Sequence, residues 1–214
     1  MNLNLYILKA TGRLNPYIKD IENIFSEAER KITKVLPVKN VDIVVVDNPD
    51  YTIPETGIGG NTYSPDYLVV SLDPTFVNFK NVLQTELLDT FAHELHHAAR
   101  WQTVGYGETL LETMISEGLA DHFEIEITKK KNIHPWDKAL DEEQNKLFAT
   151  KAVDEYSSKD YRSNYDWLHG STEKEIPTWT GYTLGFQLVR EYFKKHPESK
   201  ASTLYNLPAE EFIK

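Results

Sequence analysis

No cysteine occurs in these 214 residues. Disulfides are therefore excluded, and any metal centre has to be built from His, Asp and Glu. A chain without thiols suits the cytosol and the cell exterior equally, so this absence leaves the compartment open. Basic residues are scarce beside acidic ones, 23 Lys and Arg against 33 Asp and Glu, and the net charge is -10. That balance argues against a general nucleic-acid binder, which needs a basic stripe to neutralise phosphates. An acidic surplus serves solubility and, more weakly, favours neutral or basic substrates. No apolar run reaches the length of a membrane span. Met1 to Ala10 is a short apolar run with Lys9 and no basic leader before it, too short for a signal-peptide core, and it reads as a strand. The expectation is a cytoplasmic monomer without a membrane span, although a removed leader or export is compatible with it.

Against these absences, hydrophobic residues make up 40% and charged residues 26%, ordinary shares for a globular protein. The length supports one sizeable core, or two small lobes sharing a cleft. Leu3, Leu5 and Ile7 alternate with Asn4, Tyr6 and Leu8 in a partly two-faced strand. Asn15-Pro16 opens a helix whose stripe Tyr17, Ile21, Ile24, Phe25, Ala28, Ile32 runs to about Val35. The run from Val41 to Val46 is a buried strand ended by Asn48-Pro49-Asp50. Gly57 to Tyr63 and Tyr67 to Leu72 are extended segments around the turn Ser64-Pro65-Asp66. After Pro74 helices take over, at roughly 84–102, 108–128, 137–157 and 178–195, with a short one near 208–213. The stretches Ser157 to Ser163 and Ser171 to Pro177 read as loops. The fold class is α+β, a single domain over 1–214: an α/β lobe over 1–75 with a small mixed sheet and a covering helix, then a mainly helical lobe over 76–214. The histidine-bearing helix falls between the two, and a cleft between lobes is a common place for substrate.

Within that helix the segment Ala92-His93-Glu94-Leu95-His96-His97 contains H-E-x-x-H, set in the apolar pattern Leu87, Leu88, Phe91, Ala92, Leu95, Ala99. Residues four apart share a helix face, so His93 and His97 can point at one metal ion. Glu94 is rotated by about 100° from His93, which leaves it beside the metal and able to take a proton from a metal-bound water. With 7 His in the chain, the pattern is expected by chance roughly 0.02 times. A histidine-rich helix face in solvent is the competing reading. His96 could also share a metal with His93, but Glu94 would then lose its geometry, so His96 is placed behind the metal or at the surface.

A zinc site needs a third protein ligand and an open position. Leu110, Met114, Glu117 and Asp121 fall at i, i+4, i+7 and i+11, one stripe of the following helix. Two carboxylates on an apolar stripe are costly to bury without partners. Glu117 is therefore the candidate third ligand, and Asp121 the acceptor that fixes a ligand histidine's tautomer. A Glu–Asp edge facing water is the plainer alternative. Gly118, in a position where helix propensity favours other residues, signals close packing against another backbone.

H-E-x-x-H followed by E-x-x-x-D on the next helix is similar to the thermolysin-like gluzincins, and the 19 residues between His97 and Glu117 fit that clan. The words His93-Glu94-Leu95-His96-His97, Ser116-Glu117-Gly118-Leu119-Ala120-Asp121 and Gly181-Tyr182-Thr183-Leu184-Gly185-Phe186 resemble a bacterial family of zinc-dependent proteases carried as a domain of unknown function. The likeness runs from about Val41 to the C-terminus. It implies a zincin-like fold, zinc at His93, His97 and Glu117, Glu94 as base and Asp121 hydrogen-bonded to His93. Arg100 and Thr103 stand where the metzincin pattern has Gly and His, so that pattern is absent.

Peptide hydrolysis also needs a donor for the developing oxyanion. Tyr182, near the start of a helix, is the first candidate and His169, on a loop before Gly170, the second; Tyr182 reads equally well as a packing aromatic. Gly181 and Gly185 read as a close helix–helix contact. Arg100, two turns after His93, pairs with a carboxylate behind the metal or with solvent. Gly59, Gly60, Asn61 and Thr62 are too glycine-rich for a central strand and suit an exposed edge holding an extended peptide, or else a flexible hairpin tip. The expected function is a zinc-dependent metallopeptidase acting on a peptide or protein substrate. The alternative is a non-catalytic, metal-containing module of the same fold that binds peptides or regulates. The intact motif favours the enzyme; hydrolysis of a non-peptide bond by the same water is a third course.

Overall fold

Val41, Ile43 and Val45 point one way along an extended run and are all fully buried, which makes Val41–Asp47 a core strand, β2. In the computed structural model, which describes residues 2–130 and 134–214, β1 (Leu3–Ile7) pairs with β2 in parallel. On its other side β2 pairs in parallel with β4 (Tyr67–Leu72), and β3 (Ile58–Ser64) closes the sheet antiparallel to β4. The order is β1-β2-β4-β3, so the glycine-bearing strand lies at an edge. A parallel β1–β2 pair requires a crossover, and helix α1 (Ile18–Ile32) supplies it, burying Ile21, Ile24, Phe25, Ala28 and Ile32. Helix α2 (Phe79–Trp101) packs on α1 and β3, with Phe25 and Phe91 edge to face at 5.6 Å between ring centres. The chain divides into two compact units, Met1–Thr103 and Val104–Lys214. The division falls later than residue 75, where strands give way to helices, because α2 lies on the sheet.

The second unit is helical: α3 (Leu110–Thr128), α4 (Glu142–Glu155), α5 (Tyr161–His169), α6 (Thr180–Lys195) and α7 (Ala201–Leu204). Helix α3 starts on a capping box. The Glu112 N–H donates to Thr109 Oγ1 at 3.2 Å, and the Thr109 N–H donates to Glu112 Oε2 at 2.8 Å. Leu110, Met114, Phe148, Trp167 and Leu184 form its core. Seven α-helices and a four-stranded mixed sheet among the described residues make the fold α+β. No helix of these residues is long and apolar enough to cross a membrane.

Helices α3 and α6 meet through glycine. A Cβ on Gly118 would strike the Gly185 carbonyl, and one on Gly185 would strike the Met114 carbonyl, so backbone lies directly on backbone. This is the close packing read from Gly118. Gly181, four residues before Gly185, faces α5 instead, where a Cβ would meet Leu168 Cδ2 at 2.8 Å. Substituting Gly185 by Ala should gain about 1 kcal/mol of helix propensity but force two backbones apart, at about 3 kcal/mol. A net loss near ~2 kcal/mol is expected in urea denaturation; a variant as stable as the parent would show that the helices can separate freely.

Candidate metal centre

His93 and His97 lie one turn apart on α2, and the structure turns their rings toward each other. The two Nε2 atoms are 2.9 Å apart, with the rings edge to face at 4.6 Å between centres. Two imidazoles that bring the same ring nitrogen together across one helical turn are what a metal ion takes from an i, i+4 pair. His97 is 1% exposed and His96, between them, is fully buried. A solvated histidine face on this helix, and a surface place for His96, are therefore ruled out.

Glu94 is also buried, and its surroundings come from β3. Along that strand side chains alternate, so Ile58, Gly60 and Thr62 share the face that meets α2. The Thr62 hydroxyl reaches Glu94 Oε2 at 2.7 Å and the Glu94 backbone carbonyl at 3.0 Å. Gly60 makes room for the rest of the carboxylate: a Cβ there would collide with Oε1 and come within 2.5 Å of Cγ. The side chain read as the base is thus gripped by Thr62 and admitted by Gly60.

The four edge residues read as substrate-binding consequently divide. Thr62 is buried with its hydroxyl on Glu94, and Gly59 is buried beneath the Tyr51 carbonyl, leaving Gly60 and Asn61 exposed. The Ile58 carbonyl accepts the Ile53 N–H, on the side away from β4. Alternation therefore turns the peptide groups of Gly60 toward that same outer side.

In the second unit, Glu117 and Asp121 stand on α3 beside buried Leu110 and Met114, and both carboxylates are buried. A water-facing acidic edge is excluded. Trp136 Nε1–H donates to Asp121 Oδ1 at 3.4 Å, and the Asp137 carboxyl lies against Asp121. Burial, first, and then the Asp121 and Glu124 carboxylates push the Asp137 carboxyl up to about 10, while the His134 N–H on its Oδ2 pulls the other way.

His169 is the last residue of α5 and not a loop residue, since Asp160 caps a helix that runs into Gly170. It stacks on Tyr165 at 4.1 Å between ring centres. Lost hydration lowers its pKa, opposed by the Glu117 carboxylate, so near neutrality it is an uncharged imidazole within electrostatic reach of Glu117. Tyr182, on the first turn of α6, is half-buried. Arg100 is 2% exposed, so solvent is not its partner.

Residues 21–214 match the family described as predicted Zn-dependent protease (DUF2268). The chain belongs to this family. It is also 30% identical over 126 residues to the uncharacterized protein YjaZ of Bacillus subtilis (strain 168), a match covering 56% of this chain and 47% of that protein. The chain therefore spans about half the length of that curated relative. No solved structure matches it.

Within this DUF2268 protein, two contributions escape the sequence motif. One is the grip of Thr62 on Glu94. Its sequence signal is a polar side chain on the inward-facing alternation of a strand, but only the packing of β3 on α2 says which carboxylate it meets. The other is the Trp136–Asp137 pair against Asp121, which follows α3 in the chain and has no local pattern to announce it.

Proposed function

We propose that this DUF2268 protein is a zinc-dependent metallopeptidase of zincin-like architecture. The observation that carries the reading is the convergence of His93 Nε2 and His97 Nε2, with Glu94 held beside them by Thr62. Glu117 completes a donor set of two nitrogens and one carboxylate, a composition zinc takes at catalytic centres. Asp121 accepts from the ring of His93 and so fixes which nitrogen faces the metal. Zinc, when bound there, supplies a Lewis acid that polarises the scissile carbonyl and acidifies water. Glu94 takes the proton of the attacking water and delivers it to the leaving amine. Tyr182 or neutral His169 donates to the developing oxyanion. The outward peptide groups of Gly60 offer an extended substrate a strand edge to pair with, Asn61 flanking it.

Protein purified without added metal or chelator should carry about one zinc per chain and cleave a mixed peptide library. A chelator should stop the cleavage and zinc should restore it. Absence of zinc or a similar ion by elemental analysis would end the reading. Glu117→Ala should lower zinc affinity by about 100-fold or more, seen as loss of metal on dialysis. Full occupancy in that variant would place the third ligand elsewhere.

A further inference from the structure

We infer that Thr62 is a positioning residue for Glu94, and that with Gly60 it forms a cradle fixing where the carboxylate sits. The inference rests on the peptidase reading above and adds a part that the metal-binding motif does not contain. A threonine hydroxyl has one proton to donate. Its two neighbouring acceptors are both on Glu94, the carboxylate Oε2 at 2.7 Å and the main-chain carbonyl at 3.0 Å. The carboxylate oxygen is the nearer, so Oε2 receives the bond. Thr62 is 4% exposed and Glu94 5%, so water competes poorly for this pair.

Oε2 is thereby held by Thr62, and Oε1 lies over the bare Cα of Gly60, so both ends of the carboxylate have their place set by β3. The cradle works because Gly60 and Thr62 are two apart on one strand and so face the same way. The strand is at the sheet edge, anchored on its inner side by β4 with Gly60 opposite Val70 and Thr62 opposite Leu68. A glutamate side chain has three torsions to fix, and a base misplaced by about 1 Å loses much of its rate.

The test compares Thr62→Val, which keeps the shape and removes the hydroxyl, with Thr62→Ser, which keeps the hydroxyl. The probe is one fluorogenic peptide taken from those the wild-type zinc protein cleaves in the mixed library. Thr62→Val should lower kcat by about 10- to 100-fold with KM, zinc content and melting temperature held. Thr62→Ser should return kcat to within about 3-fold of wild type. Gly60→Ala, which crowds the carboxylate from the other side, should lower kcat by at least about 10-fold with zinc retained, and it serves should Thr62→Val not fold. Wild-type kcat in Thr62→Val or in Gly60→Ala would overturn the inference. So would equal losses in the valine and serine variants, or a loss matched by lost zinc. A wild-type protein that binds zinc yet cleaves nothing in the library overturns the peptidase reading itself, and the positioning role with it.

Discussion

Replacing Glu94 by Gln should lower peptide turnover by about 1,000-fold, within the range for removing a general base, while the zinc content stays at the wild-type level. The amide has the shape of the carboxylate and still offers an oxygen to the Thr62 hydroxyl, so the cradle of Gly60 and Thr62 is preserved. What it lacks is basicity: it neither takes a proton from water nor passes one to an amine. A 1,000-fold loss corresponds to about 4 kcal/mol of transition-state stabilisation. That is larger than the loss of any single hydrogen bond, which separates a missing base from a disturbed cradle. Zinc should be unaffected because the converging atoms are the Nε2 atoms of His93 and His97, and Glu94 offers none of them. Elemental analysis and initial rates on the same preparation decide the matter. Retained turnover would remove Glu94 from the chemistry, and lost zinc would make it a ligand.

The parts of this centre legible in the sequence are those set by helix periodicity. The i, i+4 spacing of His93 and His97 has one geometric consequence, and their rings meet accordingly. The stripe through Met114, Glu117 and Asp121 is buried for the same reason, and Gly118 meets backbone as its low helix propensity suggested. Helix α5 was illegible because its sequence is polar: beyond Trp167, the buried residues are Ser163 and Asn164. A helix whose apolar face is one tryptophan gives no 3.6-residue pattern, and so His169 read as a loop residue. Helix α4 starts at Glu142, on the Asp141–Gln144 capping box, although apolar spacing alone predicts a start near residue 137. Thr62 illustrates a different obstacle. Its alternation was visible, but its partner is 32 residues away, and only the assembled edge of the sheet turns a threonine suited to substrate into one committed to the base.

Asp137→Asn should change how stability depends on pH, because Asp137 holds a proton in the folded protein that the unfolded chain gives up. Its carboxyl is 2% exposed, lies against Asp121 and feels Glu124; Oδ2 accepts the His134 N–H at 3.0 Å, and Oδ1 meets no donor among the described residues. As an ion, Oδ1 would face another carboxylate without a hydrogen bond. As an acid, Asp137 becomes the donor and Asp121 the acceptor, and its pKa is accordingly pushed up to about 10 from an ordinary 3.8. The sign follows from proton binding. Below the unfolded value both states hold the proton and the contribution of Asp137 is complete. Above it only the folded state does, so stability drains away as pH rises toward 10, by up to about 1.4 kcal/mol per pH unit. Asparagine keeps a donor for Asp121 without this proton. The stability of Asp137→Asn relative to wild type should therefore rise between pH 5 and pH 8 by up to about 4 kcal/mol, read from urea denaturation of both proteins at several pH values. Parallel curves would mean that Asp137 is ionised in the folded state. Its Oδ1 would then have to find a cation or a water.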